Sequence, residues 1–434
     1  MSVTVHHGDS REVLKGFADA SVDSVVCDPP YALVSIGKRF GAENAAPAKS
    51  GKSGAYARAS AGFMGQKWDT GETAFDPAFW VEVKRVLKPG GHLIAFSGTR
   101  TYHRLACAIE DAGFEMRDMI AWLYGSGFPK SHDVSKGIDR KNGDARPIVG
   151  DSPFASRKPN GSGGVNSVGL SSEPGSVITS AASAASAASA ASAASAAWEG
   201  WGTALKPALE PIVLARKPLA GTVAANVLAH GTGALNIDGC RIAGEPTGER
   251  KNNVSLGSAS GGIYGTAGGF TSSGHSNGRW PANVIHDSSE EVVAAFPPNS
   301  PSSPVRAKGD SHTRGLDFHM TEGSGFGDSG SAARFFYSAK ADAADRCGSK
   351  HPTVKPIDLM AYLCRLVTQP GGVVLDPFAG SGSTGMACLR EGFDCVLIER
   401  EAQYVADIHR RLKHVEGADT PLFAANDERG ESAA

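Results

Sequence analysis

The sequence predicts an α/β fold: a Rossmann-like, doubly wound sheet whose strands come from both ends of the chain, with a large insertion between them. Three observations carry this expectation. Short apolar runs alternate with helical spacings over residues 3–124 and again over 357–415. Near the end, Val373-Val374-Leu375 runs into a glycine turn, Gly380-x-Gly382, that opens a helix. Between these patterned ends Gly, Ser, Pro and Asn dominate; the chain has 54 glycines in 434 residues, well above the average of roughly 7%, so much of the middle is expected to be loop.

Taken in order, residues 3–6 read as a strand, 10–17 as a helix and 22–27 as a buried strand ending at Asp28. A basic loop follows, in which Lys38, Arg39, Lys49, Lys52, Arg58 and Lys67 face a single acid, Glu43. Phe79, Val83, Val86 and Leu87 have helical spacing, Lys88-Pro89-Gly90-Gly91 reads as a turn, and 92–96 as a strand. A helix over 102–112 and a strand over 116–124 complete the first half. From about 128 to 330 the regular pattern lapses. Serines at 180, 183, 186, 189, 192 and 195 mark a Ser-Ala-Ala repeat over 180–197; with no large apolar residue to bury, it is expected to be a solvated spacer. Islands at 204–227, 233–242, 280–296 and 333–339 read as ordered. Helices over 357–367, 383–391 and 401–415 then alternate with strands over 373–375 and 394–398, and the polar tail from 417 is expected to be disordered. The expected division is therefore 1–127, 128–340, 341–416 and 417–434.

A formal charge of −2 argues against indiscriminate coating of nucleic acid. Seven cysteines without a Cys-x-x-Cys spacing suggest neither a disulfide framework nor a zinc site, so no metal is expected. No apolar run approaches the roughly 20 residues that span a bilayer, and a reducing cytoplasm is the expected compartment.

The glycine turn after a strand is the arrangement of a nucleotide-binding crevice, where glycines admit the ligand close to the backbone. Glu399 closes the next strand, where an acid can accept hydrogen bonds from both hydroxyls of a ribose. Gly385 precedes Met386, so a phosphate-binding Gly-Lys-Ser/Thr loop is not supported. At the other end, Asp28-Pro29-Pro30-Tyr31 follows a buried strand. The prolines fix the backbone and lack N–H groups, which leaves the Asp28 carboxylate and the Pro29 carbonyl to accept both hydrogens of an exocyclic NH2. Tyr31 supplies a ring on which a flipped base can stack.

Together, Asp28-Pro29-Pro30-Tyr31 and Asp376-Pro377-Phe378-Ala379-Gly380-Ser381-Gly382-Ser383-Thr384-Gly385 resemble the motifs of the beta-class DNA amino-methyltransferases, in permuted order, with the catalytic motif first and target recognition between. The resemblance covers roughly 1–125 and 340–415. It implies S-adenosylmethionine as cofactor and double-stranded DNA as partner, with Asp376, Gly380, Gly382 and Glu399 at the cofactor and Phe378 and Thr384 lining it. His7-Gly8-Asp9-Ser10 resembles the segment whose acid contacts the cofactor's adenine, giving Asp9 that role, with a helix N-cap as its alternative. Arg85-Val86-Leu87-Lys88-Pro89-Gly90-Gly91 resembles a structural turn. His351-Pro352-Thr353-x-Lys355-Pro356 matches the segment before the cofactor motif, where Lys355 would border the methionine portion.

What the resemblance implies is direct transfer of the sulfonium methyl to the amine of a flipped base. Asp at position 28 points to adenine N6, and cytosine N4 remains the alternative. No Pro-Cys dipeptide exists to supply the nucleophile of carbon-methylating enzymes. An RNA or protein amine methyltransferase and a catalytically inactive DNA-binding protein are the competing expectations. Arg216, Lys217, Arg241, Arg279, Arg334 and Lys340 are candidate DNA contacts, each with a solvated surface charge as its alternative. The resemblance leaves open a homodimer, a cognate restriction endonuclease and the recognition sequence.

Overall fold

The computed structural model describes residues 1–31, 72–125, 127, 131–143, 193–243, 250–252, 270–272, 278–300, 330–339, 344–349, 351 and 353–416. The basic loop over 38–67, repeat residues 180–192, Lys340, Pro352 and the tail lie outside the described residues.

Among the described residues, a nine-stranded sheet organises the fold. Its strands are β1 (Val3–His7), β2 (Val22–Cys27), β3 (Leu87–Phe96), β4 (Glu115–Leu123), β5 (Leu209–Arg216), β8 (Val284–His286), β9 (Tyr337–Ser338), β10 (Val373–Asp376) and β11 (Asp394–Glu399); β6 (Arg250–Asn252) and β7 (Phe270–Ser272) form a separate hairpin. The order is β1-β11-β10-β2-β3-β5-β4-β8-β9. All neighbours are parallel except β5, which runs antiparallel to both β3 and β4. Between β10 and β2 the winding reverses direction, the place where open α/β sheets hold ligands.

Alternation along each strand feeds two apolar layers. Val26, Ile94, Phe96, Ile212, Leu214 and Val374 join one cluster, which takes in α8 (Ile357–Val367) and α9 (Ser383–Glu391). Val25, Cys27, Leu93, Ala95, Val213 and Leu375 join the other, against α2 (Pro77–Val86) and α3 (Tyr102–Asp111). Helix α2 starts cleanly because Asp76 accepts from the Ala78 N–H and Pro77 occupies the first turn. Its Trp80 is fully buried and donates its indole N–H to the Ala74 carbonyl.

Several expectations shift by a residue or two at element ends, and three change in kind. The helix expected over 10–17 is a single turn, α1 (Ser10–Val13), followed by a 3₁₀ turn, Leu14–Gly16. The turn expected at Lys88–Gly91 is part of β3: register jumps from Val22–Leu87 to Ser24–His92, so the extra residues form a bulge, with Gly90 at φ 75°. Strands β5, β8 and β9, which the sequence placed in a middle region 128–340, belong to the main sheet.

By compactness the chain forms two units, one of Met1–Leu33, Trp68–Gly125 and Leu209–Ala434, the other of Val34–Lys67 and Ser126–Ala208. In the second, α4 (Val134–Asn142) is capped by Asp133 and ends at Gly143, which takes the left-handed conformation. The repeat's described end is helical, α5 (Ala193–Ala196), and Ser195 is buried, where a solvated spacer was expected. In the first unit, α6 (Val223–His230) and α7 (Glu290–Ala295) flank β5 and β8 in sequence, and α10 (Ala402–Glu416) follows β11. Among the described residues, no helix is long and apolar enough to cross a membrane.

Candidate active site

Strands β2 and β10 pair in the registers Ser24–Val374 and Val25–Leu375, so Asp28 and the turn after Asp376 leave the same edge of the sheet side by side. The two sequence motifs, more than 340 residues apart, are thus brought together at the reversal point.

On the β2 side, Asp28 points one oxygen at a cation. Lys355 Nζ lies 2.8 Å from Asp28 Oδ2 and 3.1 Å from Glu210 Oε2. The Tyr31 hydroxyl accepts from Lys355 at 3.0 Å and donates to Glu210 Oε2 at 2.8 Å. The second oxygen, Asp28 Oδ1, is buried and has no hydrogen-bond partner among the described residues. A buried carboxylate oxygen left bare is costly unless something arrives to use it. The ammonium also lies 5.2 Å from the Tyr31 ring centroid and 4.9 Å from that of Phe96. Pro29 is buried and Pro30 half-buried, and Thr101 Oγ1 donates to the Tyr31 carbonyl, fixing the backbone past the prolines.

Charge in this cluster is unusual for its burial. Burial works against the Lys355 ammonium, but Asp28 and Glu210 outweigh it and leave its pKa raised. Burial pushes the Tyr31 phenol well above its ordinary value, and the two carboxylates add to the shift, so it stays protonated. Sequence reasoning placed Lys355 beside the cofactor; the structure places its ammonium on Asp28. Glu210 was missed altogether. Its only signal is a carboxylate one residue before Pro211 at the start of β5, where an antiparallel strand begins at the same edge at which β2 and β3 end.

On the β10 side, Gly380 and Gly382 take positive φ of 51° and 77°. A Cβ at Gly380 would sit 3.2 Å from His351 Nε2, and one at Gly382 3.0 Å from Ile408. Helix α9 begins at Gly382 without a capping side chain, which leaves its first N–H groups to the turn. Glu399 holds the turn: Oε2 accepts from the Gly380 N–H at 2.8 Å and Oε1 from the Glu401 N–H at 2.7 Å. Burial raises its pKa against those two bonds.

Asp376 lies beneath the turn, accepting from the Phe378 N–H and the Thr384 hydroxyl. Burial raises it to about 7, opposed by those bonds and assisted by Asp28 and Glu399. Thr384 is buried, with its hydroxyl committed to Asp376. The Phe378 ring stacks at a tilt on Phe79, centroids 5.1 Å apart. Asp9 caps α1 and pairs with Arg11 Nη2 at 2.6 Å; the neighbouring Gly8 N–H donates to the Glu399 carbonyl, carrying this segment to the end of β11. Two further residues support the turn, Arg411, which the sequence did not single out, and His351, from the segment matched before the cofactor motif. Arg411, fully buried, donates to the Ser381 carbonyl. His351, which burial holds neutral with a pKa of about 4, faces Gly380.

The DNA methylase family model matches residues 22–140 and 287–410, more than half of the chain and both sides of this crevice. The chain belongs to the DNA methylase family. S-adenosylmethionine is the cofactor of this family, and the α/β sheet is its Rossmann-like methyltransferase fold. YubD of Escherichia coli (strain K12) is 44% identical over 78 residues, 18% of this chain and 34% of YubD. The type II methyltransferase M2.DpnII of Streptococcus pneumoniae is 36% identical over 69 residues, 16% of this chain and 26% of that protein. The chain therefore spans about a third or less of the length of these curated relatives. Among solved structures, the M1.HpyAVI–SAM complex aligns over 94% of this chain and 98% of its own at 15% identity and a TM-score of 0.36. The cytosine-N4-specific PvuII DNA methyltransferase aligns over 96% and 90% at 13% and 0.39.

The basic residues expected at DNA divide differently. Arg216 and Lys217 lie at the far end of β5, opposite the Asp28 edge: Arg216 pairs with Glu115 at 2.6 Å, and Lys217 donates to the Leu87 carbonyl. Arg241 pairs with Asp238 and lies over Trp280. Arg279 and Arg334 both lie over Phe335, and Arg334 also donates to the Gly330, Ser331 and Ser300 carbonyls. These side chains therefore have partners within the fold; Arg216 and Lys217, by position, are corrected to structural roles.

Proposed function

We propose that the chain is a site-specific DNA methyltransferase that acts on the exocyclic amine of a flipped base in double-stranded DNA, adenine N6 in particular. One observation carries this: a buried carboxylate oxygen of Asp28 with no partner among the described residues, at the reversal point of the sheet, beside the Gly380-Ser381-Gly382 turn. An amine entering the site donates one hydrogen to Asp28 Oδ1 and the other to the Pro29 carbonyl, which turns its lone pair away from both. Tyr31 offers its ring to the base, and stacking of this kind is worth about 1–3 kcal/mol.

The residues around the turn fit S-adenosylmethionine, because Gly380 and Gly382 present bare backbone at positive φ and no side chain caps the start of α9. Gly380, Gly382 and the α9 N-terminus would hold its amino-acid portion, Glu399 its ribose, Asp9 and Phe378 its adenine end. When bound, this group supplies an electrophilic methyl carbon on a sulfonium. Catalysis by the chain then consists of orientation and of negative charge placed where the amine nitrogen becomes cationic. The preference for adenine rests on Asp rather than Ser at position 28, the commoner usage among adenine enzymes of this class.

The test is transfer of labelled methyl from S-adenosylmethionine to unmodified DNA by wild type and Asp28→Ala, with the product nucleoside identified by mass. N6-methyladenine formed only by wild type is the expected result. N4-methylcytosine would keep the chemistry and change the base; no methylated DNA from a folded, cofactor-bound chain would overturn the reading.

A further inference from the structure

Three groups besides Asp28 meet in the crevice, and their charges do not cancel. Lys355 carries one positive charge between two carboxylates, Asp28 at 2.8 Å and Glu210 at 3.1 Å, with the neutral Tyr31 hydroxyl bridging on the Glu210 side. Lys355 is 8% exposed, and the two acids are about one-fifth exposed, so water screens this set only weakly. An ion pair of Asp28 and Lys355 alone would be neutral, and a neutralised carboxylate is a weaker acceptor for an amine. The second carboxylate returns the cluster to a net charge of −1, and the ammonium engages Asp28 through Oδ2, so that Oδ1 is left bare among the described residues.

We infer that Glu210 is a positioning residue: by sharing Lys355 with Asp28 it keeps the Asp28 carboxylate uncompensated and aimed at the substrate amine. This inference rests on the methyltransferase reading of the site. Methylation converts a neutral amine into a cationic nitrogen that then sheds one proton, so a net charge of −1 beside it favours the transition state over the ground state. Lys355 has a matching role, holding two carboxylates together that would otherwise repel across the mouth of the crevice.

Charge balance makes a prediction that packing alone does not. Glu210→Gln leaves Lys355 and Asp28 as a neutral pair, and kcat is expected to fall 10- to 100-fold while S-adenosylmethionine affinity measured by calorimetry stays within about twofold. Adding Lys355→Met to Glu210→Gln returns the site to −1 and should recover at least fivefold of that loss. Glu210→Asp, which keeps the charge, should remain within about fivefold of wild type. A double variant no more active than Glu210→Gln, or a Glu210→Gln enzyme as fast as wild type, overturns the inference. Acetylation of Lys355 at fixed pH, followed by mass spectrometry, reads the same contact without catalysis: it should be at least tenfold faster in Glu210→Gln, and an unchanged rate overturns the pairing. If wild type labels no DNA, the functional reading fails, while the acetylation rates still decide whether Glu210 holds Lys355.

Discussion

At the residue scale, Tyr31 has two separable parts in the crevice. Its hydroxyl links Lys355 to Glu210, and its ring is the platform assigned to the base. Tyr31→Phe removes the link and keeps the platform; Tyr31→Ala removes both. Phe is therefore expected to cost methyl transfer about three- to tenfold, and Ala roughly a further tenfold or more, the value of a lost base stack. Steady-state kinetics on one oligonucleotide checks this, and equal losses in the two variants would assign the work to the hydroxyl. Asp28 and Tyr31 were legible in the sequence because a Pro-Pro pair after a buried strand permits few conformations. Glu210 was not, because nothing in a lone acid before a proline shows which end of which neighbouring strand it will reach.

At the element scale, two turns depend on backbone that only particular residues provide. Gly382 takes φ 77° and has Ile408 Cγ1 3.0 Å from where a Cβ would be. Gly382→Ala is expected to destabilise the fold by about 1–2 kcal/mol and to weaken S-adenosylmethionine binding by more than tenfold; calorimetric binding unchanged from wild type would remove the turn from the cofactor site. The bulge in β3 depends on Asn226 of α6, fully buried, which donates to the Pro89 and Thr232 carbonyls and accepts from the Ala220 N–H. Asn226→Ala strips the Ala220 N–H and the Thr232 carbonyl of this partner and leaves the Pro89 carbonyl to the Thr232 hydroxyl; it is expected to cost about 2–4 kcal/mol in denaturant unfolding, and a loss under 1 kcal/mol would show that the bulge holds itself. The glycine turn was readable from its spacing. The bulge was not, since Lys88-Pro89-Gly90-Gly91 has the composition of a reverse turn, and what keeps it in the sheet comes from a distant part of the chain: the Gly90 N–H bonds to the Lys217 and Pro218 carbonyls, the Lys217 N–H to the Gly91 carbonyl, and Asn226 to Pro89.

At the scale of the whole molecule, the patterned ends announced a sheet, while β8 and β9 were hidden in the middle region because a three-residue or two-residue strand has too few positions to show alternation. The eight-residue β5 read only as part of an ordered island, because residues 212–215 are apolar at every position and so show no alternation. The sheet also sets a pH limit on stability. His92, in the interior of β3, is pushed by burial from 6.5 to about 4, with Arg216 and Arg117 adding to the shift. The unfolded chain protonates this ring between those values and the folded chain does not. Its contribution is therefore complete above about pH 6.5 and is lost as pH falls toward 4, by up to about 3 kcal/mol. His92→Gln cannot titrate, so the stability gap between variant and wild type should move in the variant's favour over that range; a gap constant from pH 7 to 4 would contradict the shift. The pairing of Ser24 with Val374, 350 residues apart, bears on how the protein is made. At roughly 5–20 residues per second, the ribosome needs on the order of 20–70 s after delivering β2 to deliver the strand that covers one of its edges. Throughout that interval an apolar strand waits with open hydrogen-bonding groups, so the yield of folded chain from a cell will depend on what shields β2 during synthesis.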